Sequence, residues 1–237
     1  MGSPDNHSAL CAAYLLHSRP FSETSLIVEL FTESHGRIAA VANGVKRKNN
    51  VNKSLLQPFR PLLVSWRGNS DLKTLTRIDS PTLAFPLARD FLYSGLYLNE
   101  LCLRLLGKEV CQPQIYSAYH ATLLALSKQQ DLETSLRQFE VSLLNELGQG
   151  TSFTHDVDGA TLVADWRYSY LPEQGFISRV DGQFSGEALI NIAKHNYCDK
   201  ITKIQAKQFT RLALAPLLGS KPLHSRALFS RRKITKD

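Results

Sequence analysis

Within the first 80 residues apolar side chains recur at alternate positions. Leu10, Ala12, Tyr14 and Leu16 form one such run, and Leu26, Val28 and Leu30 form the next. Ile38, Ala40 and Ala42 follow the turn SHGR, then come Leu62, Val64 and Trp66, then Leu72, Thr74, Thr76 and Ile78. Period-two alternation rich in β-branched and aromatic residues marks half-buried strands. Pro20, Gly36, Gly44 and RGNSD break it, so five short strands are predicted.

The period changes after DSPTLAFPLARD. Phe91, Gly95, Leu98, Cys102 and Leu105 lie near one helical face, which Leu92, Leu96 and Leu106 widen, so a mostly buried helix is predicted there. A second helix starts at Pro113, a residue suited to the first helical turn, and runs to about Ser127. A third has Asp131 as its N-cap, Gly148 just past its end, and a stripe of Leu132, Leu136, Phe139, Leu143 and Leu147. Residues 149–183 carry Gly and Asp turn signals and short aromatic runs, predicting irregular structure with a hairpin around WRYSYLPEQGFIS. Helical spacing returns over Gly186–His195 and Lys200–Leu218.

Five strands in so short a span predict a small closed or nearly closed barrel. An OB-fold is the leading candidate and an SH3-like barrel its competitor. The fold class expected is α+β: a five-stranded OB-fold barrel over residues 1–80, then a mainly α-helical domain over 81–237 with a small irregular, hairpin-bearing insertion at about 149–183.

Composition sharpens this picture. Of 237 residues, 28 are Lys or Arg and 21 are Asp or Glu, a formal net charge of +7. That balance favours contact with nucleic acid, an acidic protein or an anionic membrane surface. Cys11, Cys102, Cys111 and Cys198 form no C-x-x-C pair, which speaks for free thiols in a reducing compartment over disulfides or zinc. The first residues lack a signal-peptide pattern, and no apolar run approaches the about 18 residues of a membrane span. A cytoplasmic protein without membrane association is expected.

Catalytic signatures are missing from the sequence. It has no G-x-x-x-x-G-K-[ST], G-x-G-x-x-G or G-x-S-x-G, and its seven histidines have no paired-ligand spacing. HDVD at His155–Asp158 is the one His/Asp cluster, read as a polar turn capped by Gly159 or as a metal or acid/base site. The expectation is no catalytic residue, no cofactor and no bound metal.

Charge patterning points instead to binding. From Ser34 to Ser70 there is no acid, while Arg37, Lys46, Arg47, Lys48, Lys53, Arg60 and Arg67 fall in that window. On a barrel most of these occupy one strand-to-strand loop and its flanks. The stretch is either a solvated loop or a polyanion site, and OB-folds commonly hold single strands with basic grooves and aromatic platforms. The candidate DNA contacts are Arg37, Lys46, Arg47, Lys48, Lys53 and Arg60. Lys200, Lys203, Lys207 and Arg211 form a possible second basic surface, with Ile201, Phe209 and Leu212 turned to another face.

The segment HSRPFSETSLIVELFTESHGRIAAVANGVKRKNN resembles the RecO family of recombination mediators through His17-Ser18-Arg19-Pro20, Glu23-Thr24, Phe31-Thr32-Glu33, Gly36-Arg37 and the basic run after Asn43-Gly44. The resemblance continues through LQPFRPLLVSWRG, LKTL, LYSGLYLNELCLRLL, LRQFEVSLLNELG and GSKPLHSRALF, in order over nearly the whole chain. It implies an N-terminal OB-fold and a helical C-terminal domain. It also implies a role in DNA repair and homologous recombination: binding single- and double-stranded DNA, annealing complementary strands, and acting with RecR to load RecA onto DNA coated by single-stranded DNA-binding protein (SSB). RecA is then an indirect partner, the chain alone is expected to be a monomer, and it would join the nucleoid during repair. An OB-fold RNA-binding or ribosome-associated protein is the alternative reading.

Many family members carry a four-cysteine zinc module where this chain has the cysteine-free region 149–183. A hairpin held by Trp166, Tyr168, Tyr170 and Phe176 is expected in its place. Ala227 stands where an acid is frequent in the family. The SSB tail that the resemblance implies as partner is short, acidic and ends in an apolar residue. Arg137, off the main helical stripe with Val141 and Leu144 on the same side, would set a guanidinium beside an apolar surface suited to such a carboxylate. The other reading of Arg137 is helix-spaced pairing with Glu133 or Glu140.

Overall fold

The structure is a computed structural model that describes residues 9–47, 50 and 52–228. It divides into two compact units, one spanning residues 1–129 with 223–237 and the other spanning 130–222. The pattern change at 80/81 is therefore not where compactness divides the chain.

In the first unit five strands close into a barrel: β1 (Cys11–Pro20), β2 (Leu26–Thr32), β3 (Gly36–Ala42), β4 (Leu62–Arg67) and β5 (Leu72–Asp79). Their order is β1-β2-β3-β5-β4, with β3 and β5 parallel and all other neighbours antiparallel. That order is the OB-fold arrangement. Val28, Leu30, Ile38, Ala40, Leu62, Val64 and Trp66 fill the interior, as alternation predicts.

Two strands depart from the expected faces. In β1 the inward residues are Cys11, Ala13 and Leu15, whereas Tyr14 and Leu16 are buried on the outside. In β5 the register shifts opposite Ser65/Trp66, so Leu75 and Ile78 point inward in place of an unbroken 72/74/76/78 run. The extra residue of a bulge moves side chains across the sheet.

The outer face of β1 and β2 is covered by α2 (Arg89–Leu105) and α3 (Pro113–Ser127). Tyr14 and Phe31 pack edge-on against Tyr119, at 5.1 and 6.0 Å between ring centres. Asn99 on α2 donates to the carbonyls of Leu15 and Leu16 and accepts from Tyr119 Oη. This amide ties the β1 main chain, at its irregularity between Leu15 and His17, to the helices that cover it. Gly36, at φ +64°, opens β3 where the backbone passes so close to Val110 that an added Cβ would sit 1.9 Å from its carbonyl oxygen.

The second unit holds α4 (Leu132–Glu146), β6 (Arg167–Leu171), β7 (Gly175–Ser178), β8 (Phe184–Ser185), α5 (Gly186–Ala193) and α6 (Lys200–Leu218). The expected hairpin is β6–β7, and β8 adds a third strand beside β6. Its core is aromatic: Phe176 contacts Phe153, Tyr170, Phe184 and Phe209, at ring separations of 5.5–5.7 Å. Tyr168 is also buried, but Trp166 is 53% exposed and does not hold the hairpin as expected. The Tyr168 hydroxyl accepts from the Val163 N–H and fills the anchoring role.

Asp131 caps α4 by accepting from Thr134 N–H, and Asp199 caps α6 by accepting from Thr202 N–H. No helix among the described residues is long and apolar enough to cross a membrane.

Candidate nucleic-acid interface

The barrel of the first unit has two mouths. At one lie the β1–β2 turn, the long connection from β3 to β4, and the end of β5. At the other lie the β2–β3 and β4–β5 turns. The basic stretch occupies the first mouth. There it is partly structured: Val45, Leu55 and Leu56 close the barrel core, with α1 (Asn52–Leu55) carrying Lys53.

The Lys46 N–H donates to Thr24 O and its ammonium to Ser22 O, both in the β1–β2 turn. The Asn50 side chain donates to Gly44 O, tightening the connection into a lobe. Lys46, Arg47 and Lys53 are exposed, and none has an acidic partner among the described residues. Lys48 lies outside the described residues.

The other two candidates differ. Arg37 is tied down: its NH1 meets Glu29 Oε2 at 2.9 Å and its Nε donates to Leu106 O, with little of the side chain exposed. It fastens the α2–α3 turn to the sheet, so its charge is paired inside the unit. Arg60, just before β4, is half-buried with its Nε buried and unpartnered, so it contributes far less surface than the lobe.

Two residues that the sequence did not nominate join the lobe. Phe21, at the start of the β1–β2 turn, is 57% exposed beside the Ser22 carbonyl that holds Lys46. Arg19 is exposed on the end of β1 and has no acidic partner among the described residues. Only strand pairing shows that the first turn and the basic connection share one mouth. The signal available in sequence was an aromatic in a polar turn, SRPFSE.

In the second unit the basic surface on α6 is smaller than its sequence suggests. Lys203 is hydrogen-bonded to Asp131, and Lys207 lies 3.4 Å from Glu133. The hydrogen bond from Lys203 holds the Asp131 carboxyl below its ordinary pKa, and the same bond raises Lys203. Lys200 and Arg211 remain exposed without acidic partners among the described residues. Ile201 is 61% exposed, and Ile204 and Leu212 are exposed too, so these apolar residues share the outer face with the cations while Phe209 alone turns inward. The expected separation of Ile201 and Leu212 from the lysines is not found, because the buried face is set by Thr202, Gln205, Ala206, Phe209 and Ala213.

Arg137, Val141 and Leu144 do not form a surface site. Arg137 is 6% exposed and Leu144 1%, and Val141 is buried as well. The Arg137 guanidinium lies 3.0 Å from Glu140 Oε2 and donates to Thr210 Oγ1 at 3.1 Å. Tyr197 stands beside this pair; burial pushes its pKa up to about 12, with Arg137 opposing and Glu140 reinforcing the shift. The helix-spaced pairing with Glu140 is present, but inside the unit. The HDVD cluster is a turn: Asp156 Oδ1 accepts from Asp158 and Ala160 N–H groups. Among the described residues no three His, Cys, Asp or Glu side chains converge as a metal site.

A closed five-stranded barrel with a cationic lobe and an exposed aromatic at one mouth places the chain in the oligonucleotide-binding-fold class. Two family models match it: Recombination protein O N terminal over residues 7–81 and Recombination protein O C terminal over residues 88–227. The DNA repair protein RecO of Mannheimia succiniciproducens is 42% identical over 221 residues, covering 91% of this chain and 97% of that one. Those of Haemophilus influenzae and Hamiltonella defensa are 41% and 45% identical, covering 94% and 92% of this chain and 96% and 95% of theirs. The chain belongs to the RecO family of DNA repair and recombination proteins.

Proposed function

We propose that this chain is a non-catalytic mediator that binds single- and double-stranded DNA and anneals complementary strands. Together with RecR it would help load RecA onto SSB-coated single strands. The observation that carries the DNA contact is the set Lys46, Arg47 and Lys53, exposed and without acidic partners at one barrel mouth, with Arg19 and Phe21 alongside. Such cations displace condensed counterions from phosphates, and an exposed ring offers a stacking face to an unpaired base. Annealing then needs no cofactor: the cationic surface lowers the repulsion between two polyanions, and base pairing supplies the drive.

For the acidic SSB tail the outer face of α6 is the surface we favour. Lys200 and Arg211 offer charge beside exposed Ile201, Ile204 and Leu212, the combination a carboxylate-rich segment with an apolar end requires. A Lys200→Glu/Arg211→Glu variant should lose binding to an SSB-tail peptide while keeping its affinity for bare DNA.

The same barrel suits an RNA-binding protein, so the deciding experiment compares DNA and RNA single strands of equal length across a salt series. Equal or tighter binding of DNA, with a steep salt dependence, supports the mediator. A strong preference for RNA would replace it with the RNA-binding reading.

A further inference from the structure

At the barrel mouth opposite the cationic lobe is a pocket of about 380 Å³. That volume lies near the lower end of the roughly 300–1,000 Å³ typical of small-ligand sites. Trp66 and Ile38 are buried and form its inner wall, whereas Ser34, His35 and Asn69 are exposed on its rim. Gly68, Glu109 and Lys73, the last buried to 5% exposure, complete the lining, with 2.9 Å between the charged groups of Lys73 and Glu109.

We propose that this pocket receives one unstacked base of a DNA single strand, a contact that a duplex cannot make. The proposal rests on the DNA-binding reading and adds to it a site that distinguishes single from double strands.

Three features carry it. The first is an aromatic wall of two rings: His35, exposed on the rim, meets the buried Trp66 edge-to-face, at 5.0 Å and 87°. A purine or pyrimidine offers a π-face to such a wall whatever its identity. The second is polarity. The Lys73–Glu109 ion pair and the Asn69 amide line the same space, a mixed charged and amide lining that suits the mixed donor and acceptor edge of a base better than an anion or an alkyl group.

The third is that the rim is already built. Ser34 Oγ is 3.0 Å from both Cys11 Sγ and His35 Nδ1, and the His35 N–H donates to Thr32 Oγ1. Across the mouth the Lys73 ammonium donates to Ser70 O, so the β4–β5 turn is fixed to Glu109 through one side chain. Arg67, the residue after Trp66, is exposed without an acidic partner among the described residues and is suited to the adjoining phosphate. A base stacked and paired in a duplex presents no free face to a concave site, so the pocket selects unpaired strand.

The test uses the full chain. Trp66 and Trp166 are its two tryptophans, so Trp166→Phe leaves Trp66 as the sole reporter. A thymidine homopolymer and a duplex of equal length are titrated while strand anisotropy and Trp66 emission are both followed. The expected result is binding of both nucleic acids by anisotropy but quenching of Trp66 by the single strand alone. Asn69→Phe, on the exposed turn, should fill the mouth, abolish the quench and weaken single-strand binding about five- to tenfold with duplex affinity unchanged.

Single-strand binding that leaves Trp66 emission unaltered, with an unchanged affinity ratio in Asn69→Phe, would overturn the pocket while leaving DNA binding intact. Thymidine monophosphate quenching as tightly as the strand would also overturn it, making the site one for free nucleotides. No anisotropy change with either nucleic acid would remove the DNA reading and the pocket together.

Discussion

The Glu100 carboxylate holds Ser225 twice: Oε2 accepts from the Ser225 N–H at 2.8 Å and from its hydroxyl at 2.6 Å. Its other oxygen accepts from the His224 N–H at 2.8 Å. An acid on α2 thereby caps the helical turn at 224–228 and ties the returning end of the chain to the first unit. Arg226 adds a contact over the Tyr97 ring, 5.9 Å from its centre.

This clamp is acid-sensitive. Burial alone would raise the Glu100 pKa, but the hydrogen bonds from Ser225 and His224 outweigh it, so the group titrates below its ordinary value. Asp131 and Asp199 are lowered as well, by hydrogen bonds from Lys203 and Thr202 respectively. A carboxyl with a depressed folded pKa gives its full stabilisation above its unfolded pKa, and that stabilisation is lost as pH falls through the folded value. Stability should therefore hold through neutral pH and decline below about pH 4. Glu100→Gln should flatten that acid dependence and cost about 1–3 kcal/mol near neutrality, read by thermal unfolding across a pH series.

Neutralising Lys46, Arg47 and Lys53 together should weaken DNA binding at low salt and reduce the salt slope on single strands by about two units, at ~0.7 per phosphate contact. The far-ultraviolet spectrum should not change, because all three side chains are on the surface. A folded variant with an unaltered slope would remove the lobe from the interface.

Phe21→Ala should behave differently. Losing a stacked base costs about 1–3 kcal/mol of single-strand affinity but releases no counterions, so the salt slope should stay put. Fluorescence anisotropy at several salt concentrations separates the two variants.

Arg137→Ala should destabilise the second unit by about 3–5 kcal/mol, because it leaves the Glu140 charge buried opposite an empty space. A joint Arg137→Met/Glu140→Leu variant should recover most of that loss. Thermal unfolding of the single and double variants checks this, and it separates a structural role for Arg137 from a surface one.

The barrel was legible because its strands keep period two and its turns are marked by Pro20, Gly36 and Gly44. The caps Asp131 and Gly148 likewise bounded α4. Two errors of facing have physical causes. β1 is buried on both sides, so Tyr14 and Ala13 are equally apolar in sequence, and only the packing of α2 and α3 tells the barrel side from the helix side. α4 is also buried broadly, so Arg137 reads as an off-stripe surface cation although Glu140 and Thr210 meet it inside.

Charge pattern alone did not reveal which cations were already paired. Arg37, Lys203 and Lys207 find their acids at Glu29, Asp131 and Glu133, the last two across a long sequence separation. The reverse holds for Phe21 and Arg19, which only the strand order brings to the mouth with Lys46.

The most direct test of the mediator account is the annealing rate of two complementary labelled strands, each coated beforehand with the cognate SSB. The reaction is run with this protein, with its Lys46/Arg47/Lys53-neutralised variant, and with SSB lacking its acidic tail. The account predicts acceleration by the unmodified chain that is lost with the variant and lost again without the tail. No acceleration from a folded sample at low salt would contradict it.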